Sequence, residues 1–152
     1  MSSSPRQYDR DFYGWANEQA GLLRAGRLSE ADIGHIAEEI ESMGRTEKRE
    51  LVNRLEVLLI HLLKWQFQPE RRGKSWTNTI RVQRNRLKTH LADNPSLKPQ
   101  LQASVEAAYE NARIEAAAET GLDETVFPEM CAWTPDEALA PGFWPDGAHP
   151  RA

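Results

Sequence analysis

Residues Val57 to Leu63 read VLLIHLL, apolar at every position except His61. A helix that is apolar all round has to be enclosed by other elements. The surrounding spacing says the same: Leu51, Leu55, Leu58, Leu62 and Trp65 recur at alternating intervals of four and three, which is one face of an α-helix. This stretch predicts the centre of a helical core. Pro69 ends it, because proline donates no backbone bond and steers Gln68 away from helical dihedrals.

The same phase extends upstream. Ile33, Ile36, Ile40 and Met43 repeat at three and four, and the stripe then crosses Gly44 and Glu47 to reach Leu51. One long central helix over about 30–67 is the reading, kinked near Gly44, with Ser29 and Asp32 as a capping box at its start. Before it, residues 1–8 read as a frayed lead-in. Asp9 can cap a helix carrying Phe12, Trp15, Ala16, Leu22 and Leu23, which Gly26 stops. After it, Ser75 is the expected cap of a helix with Trp76, Ile80, Leu87 and Leu91 inward, ended by Asn94-Pro95. Ser96, with Pro99 in the first turn, is the expected start of a fourth helix. Its face Leu101, Val105, Tyr109, Ala112 and Ala116 is small and suited to close approach, and Gly121 terminates it.

The last 31 residues hold five of the nine prolines together with Trp133, Phe143 and Trp144, and Phe127 stands at their head. Four large rings are a liability if exposed, so this segment is expected to strap across the bundle, with one short helix at Thr134-Pro135-Asp136-Glu137. The fold class is therefore all-α and four-helix-bundle-like: lead-in 1–8, helical domain 9–121, and an irregular strap 122–152 packed on the same domain.

At 152 residues the chain has the length of one domain, and its apolar fraction of 39% with five Trp is enough for a core. No apolar run approaches the roughly 18 residues of a membrane span, and the polar start MSSSPRQYDRD has no signal-peptide core. The reading is cytoplasmic, with no membrane contact. Cys131 stands alone, so it forms no intrachain disulfide and reads as inert packing.

The net charge of −4 conceals an asymmetry. Arg71, Arg72, Lys74, Arg81, Arg84, Arg86 and Lys88 fall in the stretch 71–92, which holds no acid, and the rest of the chain has 12 bases against 23 acids. Such a segment either pairs with the protein's own acids or awaits an anionic partner. Arg81, Arg84 and Lys88 recur at three and four and form one stripe, with Arg71, Arg72 and Lys74 in the preceding connector. Internal pairing with Glu38, Glu39 and Glu41 is the favoured reading, since a net negative chain is repelled by phosphates at long range. Arg84 borders the apolar face and needs a carboxylate; Glu38 or Glu39 is the expected partner.

Several blocks in order, HLLKWQFQPERR, SWTNTI with QRNRL, NPSL, AYENAR leading to ETGL, then FPE with Cys131, together with the early EEIESMGR, resemble a bacterial domain-of-unknown-function family, number twenty-nine, common in cyanobacteria and proteobacteria. The resemblance covers roughly residues 8 to 146. It implies an all-helical domain with no established activity, cofactor or catalytic residue, so no site is carried over. The family often has Pro then Tyr or Phe where Ala132 and Trp133 stand, a departure confined to tail packing.

Two further groups invite chemistry. His35 stands near Asp32, Glu38 and Glu39 on helix spacing, which makes His35 and Glu39 weak metal candidates, but one Asp-x-x-His without a mate falls short of a metal-binding bundle. His61 is the ionisable group of the most apolar segment, and a buried neutral imidazole held by hydrogen bonds is its expected state. With Trp65 at the end of the same stripe, His61, Trp65, Arg81, Arg84, Glu38 and Glu39 are the candidate functional residues. The resulting expectation is a non-enzymatic protein-interaction or regulatory module without a cofactor, its partner an unidentified protein or a second copy. The alternative is nucleic-acid or phosphate-ligand binding through 71–88; a weaker one is a metal-dependent enzyme using His35, His61 and neighbouring acids.

Overall fold

The computed structural model describes residues 5–145. The described residues form helices α1 (Pro5–Arg10), α2 (Phe12–Arg24), α3 (Ile33–Phe67), α4 (Lys74–Asp93), α5 (Leu101–Thr120) and α6 (Pro135–Leu139), joined by short 3-10 turns, with no strand. The fold is all-α with one long helix, as its hydrophobic phase predicts. The chain divides into two compact units, Met1–Thr46 and Glu47–Ala152.

In the unit Glu47–Ala152 the core is built on the Leu-rich part of α3. Leu51, Leu55, Leu58, Leu59 and Leu62 are completely buried, and each such side chain contributes about 1.5–3 kcal/mol by leaving water. Ile80 and Leu87 of α4 meet them, as do Val105 and Tyr109 of α5. Ala108, Ala112 and Ala116, at steps of four along α5, are all fully buried, and their small size permits close helix approach. The C-terminal segment closes this core: Phe127, Trp133, Ala138 and Trp144 are buried. Trp144 meets Trp65 at 4.7 Å between ring centroids, Phe127 meets Phe67 edge-on at 5.2 Å, and the Tyr109 hydroxyl donates to the Pro128 carbonyl at 2.6 Å. The part of the expected strap beyond residue 145 lies outside the described residues.

Gly26 and Gly121 end α2 and α5 with φ of +73° and +76°, where a Cβ is disfavoured. After α2 the Arg27 amide donates to Leu22 and the Gly26 amide to Leu23, the paired bonds that satisfy a helix's last carbonyls. The Thr134–Glu137 capping box is present, each side chain accepting from the other residue's backbone N–H at 3.1 and 3.0 Å. Thr134→Ala is expected to cost about 1 kcal/mol in urea unfolding.

Five helix starts differ from expectation. Residues 5–8 belong to α1 and are not a lead-in, whereas residues 1–4 lie outside the described residues. Asp11, not Asp9, caps α2, its Oδ1 accepting from the Gly14 amide at 3.1 Å, and a Cβ added at Gly14 would lie 2.5 Å from the other carboxylate oxygen, Oδ2. Ser29 sits in a 3-10 turn, Leu28–Glu30, and Asp32 stands immediately before α3, which runs through Gly44 without interruption. Extended Gly73 precedes α4, its carbonyl accepting from the Thr77 amide and hydroxyl, so Ser75 falls inside the first turn. Ser96 and Pro99 belong to a 3-10 turn, Pro95–Gln100, because two prolines remove donors that a regular first turn would use.

The unit Met1–Thr46 is thinly cored. Trp15, Gln19 and Leu22 of α2 are buried, but Phe12 and Leu23 are exposed. Along α3 the apolar stripe continues as predicted, yet Ile33, Ile40 and Met43 are 53%, 58% and 62% exposed. Periodicity is right and burial is not.

Candidate anion-binding cleft

One face of α4 carries Asn78, Arg81, Val82, Asn85 and Lys88, at the three- and four-residue steps that align side chains on a helix. This face forms one wall of a cleft of about 1200 Å³. A second wall is the 3-10 turn after α4, which contributes Lys98; a third comes from Leu139, Pro141 and Trp144 of the C-terminal segment. Arg81, Arg84, Lys88 and Lys98 line the cleft, and among the described residues no acidic side chain does.

Arg84 anchors the walls to one another. It is only 5% exposed, and its guanidinium Nε donates to the Ala138 carbonyl at 2.9 Å and Nη2 to the Phe143 carbonyl at 2.7 Å. Nη1 lies 3.5 Å from the Pro141 carbonyl, and the guanidinium sits 5.3 Å from the Trp144 ring centroid. None of these partners is a carboxylate, so the expected pairing with Glu38 or Glu39 is corrected: backbone oxygens take that place. Burial draws the Arg84 pKa down to about 10, which leaves it charged at neutral pH. Among the described residues the cleft therefore holds a buried positive charge with no carboxylate partner. Arg81 and Lys88 are exposed and make no ion pair among the described residues, contrary to the favoured internal pairing.

The remaining basic candidates do not line the cleft. Arg71 is exposed on the connector and Lys74 at the first position of α4, and Arg72 donates to the Trp65 carbonyl at 2.6 Å with its guanidinium 5.0 Å from the Trp65 ring centroid. Trp65 is thus a core residue, although its buried indole N–H has no acceptor among the described residues. Lys98 escaped the sequence reading because it lies beyond Asn94-Pro95, outside the acid-free stretch. Lys64 escaped as well: it is 9% exposed and pairs with Glu119 at 2.8 Å. Its signal was a cation directly after the apolar run Val57 to Leu63 and before Trp65.

His61 is a half-buried imidazole tied to its own helix. Its Nδ1–H donates to the Val57 carbonyl at 2.8 Å, and burial lowers its pKa. The unfolded state then binds the proton more readily, so His61 costs stability as pH falls through its unfolded value of about 6.5. His61→Leu is expected to lose less stability than the wild type between neutral pH and pH 5, as read by thermal unfolding.

His35 has the opposite sign. Its Nδ1 bonds Asp32 at 2.7 Å, which raises its pKa; the Tyr8 ring stacks on it at 4.0 Å, and the Tyr8 hydroxyl donates to Glu39. The stabilisation is complete below about pH 6.5 and is lost as pH rises through the raised folded value. His35→Asn should abolish that alkaline loss in the same unfolding experiment. The Asp32 carboxylate, which burial alone would raise, is held low by bonds from His35 and the Trp15 indole. Glu39 and His35 are thus engaged by Tyr8 and Asp32, Glu38 is exposed, and no third metal donor joins them among the described residues.

Three metal-type donors do come together elsewhere. Glu47, Glu50 and His90 have ligand atoms within 4.8 Å of one another. Protein partners already satisfy them: His90 Nε2–H donates to the Glu47 carbonyl at 2.8 Å, and Arg54 bonds the Glu50 carboxylate at 3.0 and 2.5 Å. An ion would have to break both arrangements. Cys131, half-buried, has its thiol pKa raised by burial, which suits packing over nucleophilic chemistry.

Among the described residues no helix is long and apolar enough to cross a membrane. A family model, Domain of unknown function DUF29, matches residues 7–144. No curated protein and no solved structure matches the chain.

Proposed function

The chain belongs to the DUF29 family, and from its own geometry we propose that it binds a phosphate-bearing anion in the cleft along α4. The observation that carries this reading is the lining: among the described residues, four cations and no acid, in a protein of net charge −4. Clefts lined by one sign of charge focus the field and attract the opposite sign even when the whole molecule repels it. Arg84 adds a fixed charge that no carboxylate among the described residues neutralises. Calorimetric titration with pyrophosphate tests the reading: saturable binding at low ionic strength, weakened as salt screens the exposed cations, is the expected result. Absence of heat and of competition at low salt would sink it.

A separate observation favours a second reading, that the chain is a protein-interaction or regulatory module. Ile33, Ile40 and Met43 line one stripe of α3 and are all more than half exposed. Exposed apolar stripes of this kind mark docking faces. Light scattering and partner capture with Ile40→Asp as the control separate a second copy from another protein. The setting we propose for both readings is the bacterial cytoplasm, where the single thiol of Cys131 stays reduced.

A further inference from the structure

Phosphate alone does not account for the cleft. Beside its cations it exposes apolar surface: Val82 is 44% exposed, Pro141 is exposed, and Leu139 is half-buried at the opposite wall. Asn78 and Asn85, both exposed, project from the same α4 face that carries the cations. Each amide offers a donor pair and an acceptor, the complement of a heterocycle's edge. Arg81 and Lys88 stand seven residues apart, about 10 Å along the helix axis. Long, flexible side chains at that separation can converge on a chain of phosphates, and Lys98 approaches from the neighbouring turn. The volume, about 1200 Å³, is at or above the upper end of small-ligand clefts, ~300–1,000 Å³, and far beyond what a bare phosphate fills.

We propose that the ligand of this cleft is a nucleotide with free terminal phosphates, its base lying between Val82 of α4 and the facing apolar wall of Leu139 and Pro141, and its phosphates on Arg81, Lys88 and Lys98. This deepens the anion-binding reading and rests on it. The base supplies apolar contact and a hydrogen-bonding edge for Asn78 and Asn85. The polyphosphate supplies charge for the exposed cations. A bare inorganic anion would leave the apolar wall wet, and a purely apolar ligand would leave the cations without a partner. Arg84 acts through the field and by holding the C-terminal wall, since its best-formed bonds go to backbone oxygens.

The test compares ATP, tripolyphosphate and a short single-stranded oligonucleotide by equilibrium titration against the full chain. ATP is expected to bind about tenfold more tightly than tripolyphosphate of similar charge, a difference of about 1.4 kcal/mol. Val82→Ser is expected to shrink that ratio several-fold and leave the tripolyphosphate affinity unchanged; the far-ultraviolet circular dichroism of the variant checks that it is folded. Equal affinity for ATP and tripolyphosphate overturns the nucleotide inference and leaves anion binding standing. Saturable oligonucleotide binding without ATP binding overturns it in favour of a strand. Failure of all three ligands at low ionic strength overturns the anion-binding reading itself.

Discussion

Replacing Arg84 with Leu is expected to lower the unfolding free energy by about 3–5 kcal/mol, a large share of what a domain of this size has. The side chain is buried, and two of its bonds are well formed, to the carbonyls of Ala138 and Phe143. Leucine fills much of the volume but leaves those oxygens without donors in a dry environment, at about 1–3 kcal/mol each. It also removes the cation from the Trp144 face. Arg84→Lys is expected to recover only part of the loss, because one ammonium cannot reproduce a fork whose Nε and Nη2 reach different carbonyls. Urea unfolding followed by tryptophan fluorescence measures both variants. An Arg84→Leu protein within about 1 kcal/mol of wild type would mean that the C-terminal segment is held by its aromatics alone.

The second large effect concerns ligand binding. Arg81→Glu with Lys88→Glu is expected to weaken pyrophosphate or nucleotide binding by at least about 100-fold, since each reversal removes a charge-assisted bond of about 1.5–3 kcal/mol and adds repulsion. Both residues are exposed and unpaired among the described residues, so stability should change by less than about 0.5 kcal/mol. The contrast with Arg84 is the useful part. On one helix, neighbouring arginines divide their work, Arg81 toward solvent and Arg84 toward the backbone of the strap.

What could be read from the sequence follows from which interactions side-chain order can encode. The apolar phase from Leu51 to Trp65, the Thr134–Glu137 box and the burial of Phe127, Trp133 and Trp144 depend on residue type and spacing, and they were legible. Arg84's partners were not. They are backbone oxygens 54 to 59 residues away, and every residue offers such an oxygen. A carboxylate partner such as Glu38 or Glu39 is what residue type suggests, whereas the oxygens that bond Arg84 belong to the last turn of α6 and the segment after it.

Ile33, Ile40 and Met43 illustrate a different limit: periodicity identifies which residues share a face, but not whether anything covers it. The same holds for the cleft. Arg81, Arg84 and Lys88 were visible as a stripe; Lys98 joins them only because the chain turns at Asn94-Pro95, and the apolar wall comes from a segment some 50 residues further along. His61 had the most provocative position in the sequence. Its bond to the Val57 carbonyl turns it into part of its own helix.

Backbone amide chemical-shift mapping during titration with pyrophosphate tests the central claim most directly, because it locates the ligand as well as detecting it. Saturable shifts concentrated on Asn78 to Lys88, on Lys98 and on Leu139, and absent from the Arg81→Glu, Lys88→Glu protein, are the predicted result. Shifts that never saturate, or that gather on Arg71, Lys74 and residues outside the cleft, would contradict it.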